Sequence, residues 1–334
     1  MRTDWVMAGL CAGLWVGDSV SAPVARDAAP VETQASSFPS RPVRFVVPFP
    51  PGAGADVIAR MIAQPMSDRL GQPVVVDNRS GAAGTIGTTI VAKAPPDGYT
   101  IVLITATFSI SAAFYNDLPY DAVSDFASVG RVATGPLAVV VHPSLQAQSI
   151  KDLIALAKAR PGKLNYASGG QGGINHLAAE MLKSATGIQV VEINYKGGGP
   201  ALTGLLSGEA QLMIATLGSC LSQIRAGKLR ALALGSKRRS MLLPELPTVA
   251  ESGVPGYEAD TWYAILAARG TPSLHIQRLN QAMAASVRTR DFQETLVSTG
   301  FEPSPSTPAD FAAYLRSEIS KWTRVIKVAG ITRS

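Results

Sequence analysis

The stretch "VVPFPPGAGADVIAR", residues 46–60, decides how this sequence is read. An apolar run meets Pro48, and Pro50 and Pro51 follow after Phe49. Gly52, Ala53, Gly54 and Ala55 then carry almost no side-chain bulk before Asp56 opens a helical pattern. Proline fixes φ and removes a backbone donor, so a buried strand ends where prolines cluster. Glycine removes the Cβ that holds a ligand away from the main chain. A helix that starts at such a point presents unpaired N–H groups and the positive end of its dipole. These features make an anion site that needs no charged side chain. The prolines stiffen the loop, which lowers the ordering cost of binding. The stretch reads as a rigid backbone cradle for an anionic group.

The device recurs along the chain. Val/Ile/Leu-rich runs at 43–49, 73–78, 100–105, 136–142, 164–168, 189–195, 210–215, 229–234 and 263–268 read as strands. Helical patterns lie between them at 56–70, 86–94, 150–159, 174–186 and 200–207. This alternation gives an α/β fold, with a parallel sheet covered on both faces as the expectation. "NRSGAAGTIG" (78–87), "SGGQGGINH" (168–176) and "YKGGGPALT" (195–203) are further glycine-rich exits from strand into helix. Open α/β sheets bind ligands at the carboxyl ends of their strands, where these loops fall. Ser149 with Asp152, and Thr307 with Asp310 behind Pro308, are helix-start signatures. Phe311, Leu315, Ile319, Trp322 and Ile326 form one core-facing stripe on the last helix.

Several function classes fall away. The 334 residues are 46% hydrophobic and 16% charged, a globular composition with room for two domains. Net charge is +6, but Lys237-Arg238-Arg239 is the one tight basic cluster and no aromatics interleave with it, so nucleic acid is not expected. No G-x-x-x-x-G-K-[ST] occurs, and Val57 breaks the dinucleotide fingerprint in "GAGADV". Residues 1–37 read as an export signal with a short tail. Arg2 precedes an apolar stretch, Trp5 to Val16, too short at about 1.5 Å per residue to span a bilayer. "SVSA" (19–22) offers small residues for cleavage, with a cut nearer Ala35 or Ser36 preferred because Pro23 follows Ala22. Removing this segment takes two basic and four acidic residues, so net charge rises to +8. Cys220 is then the remaining cysteine, which excludes an internal disulfide and a thiolate metal site. No cofactor or metal is expected. Ser168 and His176 could be drawn as nucleophile and base of an exported hydrolase, but no G-x-S-x-G elbow or third partner accompanies them.

The motifs "RPVRFVVPFPPGAGADVIAR", "LGQPVVVDNRSGAAGTIG", "APPDGYT", "LPYDAVSDFASV", "INYKGGGPALTGLLSGEAQLM", "AGKLRALAL" and "LPELPTVAESGVPGYEADTWYAILAARGTP" together resemble the Bug family, from about Phe38 to Ile331. These are periplasmic solute-binding proteins of tripartite tricarboxylate transporters. The resemblance implies a type II periplasmic-binding-protein fold whose two α/β lobes close on a ligand. Lobe one would combine 38–138 with 261–334, and lobe two would be 139–260. It further implies a small carboxylate held by Phe49, Pro50, Pro51, Gly52, Ala53, Gly54, Ala55 and Asp56, with Asn78 beside them. Thr105, Ala106 and Thr107 would join from the third strand. The opposite side would come from Ser168, Gly169, Gly170, Gln171, Gly172, Gly173, Asn175 and His176, with Ala215 and Thr216. Two departures bear on this. Ala55 replaces the family's usual hydroxyl residue, leaving Asp56 to cap the helix, and Ala215-Thr216 replaces a common acidic position, with Gly218 where proline is common. A carboxylate without an ammonium group is therefore the expected ligand. The expected protein is a monomer that delivers this ligand to membrane transporter subunits, with a periplasmic sensor subunit as the alternative.

Overall fold

The computed structural model describes residues 38–331, so the expected signal and tail lie outside the described residues. The chain opens with β1 (Val43–Val47), α1 (Gly54–Leu70), β2 (Val74–Asn78), α2 (Thr85–Ala92), β3 (Thr100–Thr105) and α3 (Ala106–Phe114). A long strand, β4 (Phe126–Val141), leads into α4 (Ile150–Ala159), β5 (Leu164–Ser168) and α5 (Ile174–Thr186). Next come β6 (Val190–Asn194), α6 (Gly198–Leu206), β7 (Leu212–Thr216), α7 (Leu217–Arg225) and β8 (Arg230–Leu234). The chain returns through β9 (Asp260–Ala268), α8 (Ser273–Val287), α9 (Arg290–Ser298), β10 (Glu302–Pro303) and α10 (Pro308–Ala329).

The strands run in the order β2-β1-β3-β9-β4-β7-β5-β6, with β8 and β10 also on β4. The α/β class stands, but the expected all-parallel sheet is corrected to a mixed one. β1 pairs parallel with β2 and β3, and β5 pairs parallel with β6 and β7. Between these blocks, β9 runs antiparallel to β3 and β4, and β4 antiparallel to β7. Apolar runs signal burial on both faces; they do not encode strand direction. β4 is one strand shared by both blocks. Phe126 to Pro136 pairs with β9, and Leu137 to Val141 pairs with β7 and β8. The glycine-rich exits after β1, β2, β5 and β6 all leave the carboxyl ends of parallel strands.

Alternation along β1 explains its packing: Phe45 and Val47 join Ile58, Ile62 and Met66 of α1, while Val46 joins Trp262, Phe311 and Leu315 on the other face. The α10 stripe is core-facing as expected, and it serves both blocks. Phe311 and Leu315 fill the first block, whereas Trp322 and Ile326 pack with Val139, Val141 and Tyr166 of the second. Each such fully buried side chain contributes about 1.5–3 kcal/mol. The buried Glu318 fixes α10 to β9, because its carboxylate accepts the Trp262 indole N–H at 3.1 Å and the Lys321 ammonium at 2.5 Å. Ser149 and Thr307 cap α4 and α10, each accepting the N–H three residues on.

Candidate ligand-binding site

The first cradle is built by the turn between β1 and α1. Pro50, Pro51 and Gly52 form an exposed rim, and the Ala53 N–H reaches back to the Pro50 carbonyl at 3.2 Å. Ala53 is the N-cap in extended conformation and supplies no side-chain cap. The expectation that Asp56 caps the helix is corrected. It sits at the third helical position, too far into the helix to cap its own start. Its carboxylate accepts the Gly52 N–H at 2.8 Å, Arg60 Nε at 3.0 Å and Asn78 Nδ2 at 2.9 Å. Asn78 Nδ2 also donates to the Phe49 carbonyl at 3.1 Å, and Asn78 Oδ1 accepts from Arg60 Nη2 at 3.1 Å. Asp56 is therefore a brace that ties both ends of the loop to β2. Its burial alone would raise its pKa, but the donors on Arg60, Gly52 and Asn78 outweigh that and hold it below its ordinary value. Among the described residues, nothing accepts the N–H groups of Gly54, Ala55 or Asp56.

The two glycines of this loop have different reasons. Gly52 lies at φ +81°, a conformation costly for any residue with a Cβ. Gly54 makes room: a Cβ there would stand 3.1 Å from the Tyr263 hydroxyl.

The loop after β5 repeats the arrangement. Gly173 is the N-cap of α5, again without a side-chain cap, and the third helical residue, His176, accepts the Gly172 N–H on Nδ1 at 3.3 Å. The N–H groups of Ile174, Asn175 and His176 have no acceptor among the described residues. Asn175 Nδ2 donates to the Ile214 carbonyl at 2.5 Å and so fixes α5 to β7. Gly169 lies against the Gly197–Gly198 backbone, Gly170 N–H reaches Ser168 Oγ at 3.4 Å, and Gln171 is exposed. Ser168 is fully buried, and its hydroxyl donates to Glu192 Oε1 at 2.5 Å, while His176 Nε2 stands 3.7 Å from Glu192 Oε2. Glu192 thus takes the serine proton position that a catalytic histidine would need, so this trio is a structural tie.

The remaining expected residues are spread more widely. Thr105 caps α3 through Thr107 N–H at 3.2 Å, and Ala106 is buried behind them. Thr105 and Phe49 share a small hollow with Ala83 and Gly84 of the second glycine loop. The other end of α3 meets the second cradle, with the Phe114 ring 3.6 Å from a Cβ position on Gly172. Ala215 is fully buried in β7, and Thr216 begins α7 with its carbonyl accepting Ser219 Oγ at 2.7 Å. No hydrogen bond among the described residues joins the loop at 49–56 to that at 168–176. Sequence reasoning missed Glu192 and Tyr263. A lone acid in "QVVEINY" was a usable signal for the first; Tyr263, inside an apolar strand run, gave none.

A family model described as "Tripartite tricarboxylate transporter family receptor" matches residues 58–331. The chain belongs to this family. Members of this receptor family are solute-binding proteins of the periplasm and not enzymes. The chain is similar to Protein BugT of Bordetella pertussis, at 39% identity over 305 residues that span 91% of this chain and 93% of the relative. It is also similar to the structure of R. palustris Rpa4515 with adipate, at 38% identity and TM-score 0.76, covering 88% of this chain and 99% of that one. MatC from Rhodopseudomonas palustris, with bound malate, matches at 28% identity and TM-score 0.72 over 86% of this chain and all of its own. The Bug resemblance and the binding-protein fold are both borne out by these matches. No helix among the described residues is long and apolar enough to cross a membrane.

Proposed function

We propose that this receptor captures a small organic carboxylate in a cleft between two lobes, roughly 38–138 with 261–334 and 139–260, and delivers it to a tripartite tricarboxylate-type transporter. The observation that carries the reading is the start of α1, where Asp56, Arg60 and Asn78 brace a loop whose first-turn N–H groups are unpaired. Such a turn gives an anion hydrogen bonds and a favourable dipole without an opposing desolvated cation. The like arrangement at the start of α5 supports a ligand gripped from both lobes. Adipate and malate in the two similar structures support the substrate class. Ala215-Thr216, in place of an acidic residue, supports an acid that carries no ammonium group. In this reading the chain is exported, works in the periplasm as a monomer, and performs no chemistry on its ligand.

The test is thermal unfolding of the mature chain, shown empty by native mass spectrometry, against dicarboxylates, monocarboxylates and amino acids. A ligand at a hundredfold its Kd adds about 2.7 kcal/mol, which is a shift of several degrees for a protein of this size. Selective stabilisation by acids lacking an ammonium group is the expected result. Stabilisation by amino acids alone, or by no acid, refutes the reading.

A further inference from the structure

We propose that the Tyr263 hydroxyl is a ligand-binding group, donating a hydrogen bond to the carboxylate seated on the first turn of α1. This rests on the reading of that turn as a carboxylate site. Tyr263 lies in β9, far from the glycine loops in sequence, and only 7% of it is exposed. A buried tyrosine hydroxyl ordinarily finds a partner, as Tyr166 does on Glu180 and Tyr257 on the Ala178 carbonyl. The Tyr263 hydroxyl has none among the described residues and, unlike the enclosed Tyr195 hydroxyl, is not sealed from solvent, so it is open to a ligand. It stands against Gly54, 3.1 Å from where a Cβ would be, beside the N–H groups of Gly54, Ala55 and Asp56 that also lack partners. An unpaired hydroxyl therefore stands beside the first residue of a helical turn whose N–H groups are also unpaired.

The ring is held for this role. Its backbone pairs with Thr105 on one side and Ala133 on the other, and Phe301 packs edge-on at 5.2 Å between centroids. Little side-chain freedom is left to lose on binding. Burial pushes the phenol pKa upward, so the group remains protonated and a donor at neutral pH. The absence of bulk at Gly54 is then part of the same device, because a Cβ would press the hydroxyl out of line.

Calorimetric titration with adipate and with malate tests this in wild type, Tyr263→Phe, Gly54→Ala and the double variant. A hydrogen bond to a charged group predicts an affinity loss of about tenfold or more for Tyr263→Phe, with the unliganded unfolding temperature unchanged. Gly54→Ala weakens binding as well, and the double variant binds no worse than Tyr263→Phe, since the added methyl then has no hydroxyl to displace. Wild-type affinity in Tyr263→Phe overturns the assignment, as does a loss matched by a lower unliganded unfolding temperature. Losses that multiply in the double variant overturn it too. Failure of wild type to bind either acid, or any acid of the wider panel, overturns the carboxylate reading itself and this assignment with it.

Discussion

Replacing Asp56 by alanine tests the brace beneath the first cradle. The carboxylate is 3% exposed and satisfies the Gly52 N–H, Arg60 Nε and Asn78 Nδ2. Arg60 is half exposed and recovers water when its partner goes. Asn78 keeps the Phe49 carbonyl, and the Gly52 N–H, on the exposed rim, exchanges the carboxylate for water. With the charge-assisted bonds lost, the cost is about 1.5–3 kcal/mol. For a chain of this length that lowers the unfolding temperature by roughly 2–5 °C. Binding weakens as well, about fivefold, because the loop must be ordered by the ligand. The effect is pH-dependent. Asp56 is held below its ordinary pKa of 3.8, so it adds stability above that value and loses it as pH falls through the folded-state value. The gap between wild type and Asp56→Ala is therefore full at neutral pH and closes below pH 3.8. Differential scanning calorimetry at pH 7 and at low pH measures both arms. An unfolding temperature unchanged at pH 7, or a gap that widens in acid, refutes the reasoning.

Two further outcomes concern the junction of the sheet blocks. Gly218, at the start of α7, lies backbone to backbone on Thr299 and Gly300 after α9, and any Cβ there strikes the Thr299 carbonyl. Gly218→Ala should force these segments apart, raising the radius of gyration in X-ray scattering with the panel acid present and weakening its binding; an unchanged radius and affinity contradict this. Asp260 begins β9 with Oδ1 enclosed and unpaired. Burial, opposed by Lys321 and reinforced by Glu258, Glu318 and Glu302, pushes its carboxyl up to about 8. A carboxyl raised in the folded state favours folding below its ordinary value of 3.8 and loses that contribution as pH rises through about 8. Asp260→Asn should therefore gain in unfolding temperature over wild type across that interval, and parallel curves would rule it out.

Much of the site was legible because its parts are local. Proline and glycine after an apolar run mark a strand exit, and the Ser149 and Thr307 caps need residues only three positions apart. The α10 stripe follows from helical period alone. The first half of β4, "FASVGRVATG", was not legible: its serine, glycine and threonine hide a strand that only pairing with β9 makes. Asp56 shows the same limit at closer range. Its position near a helix start reads as a cap, and only Asn78 and Arg60 reveal the brace.

The sequence by itself determined the α/β class, the glycine-rich loops at strand ends, and the start of a helix directly after the turn at 49–56. Periodicity, backbone restriction and helix-end polarity act between near neighbours, so their record is local. Only the tertiary structure decided the antiparallel insertion of β9, the sharing of β4 and α10 between two sheet blocks, and the meeting of Tyr263 with Gly54. Those depend on contacts between residues from about 70 to more than 200 positions apart, and an apolar strand looks the same from its sequence whichever way it runs and whatever its tyrosine faces.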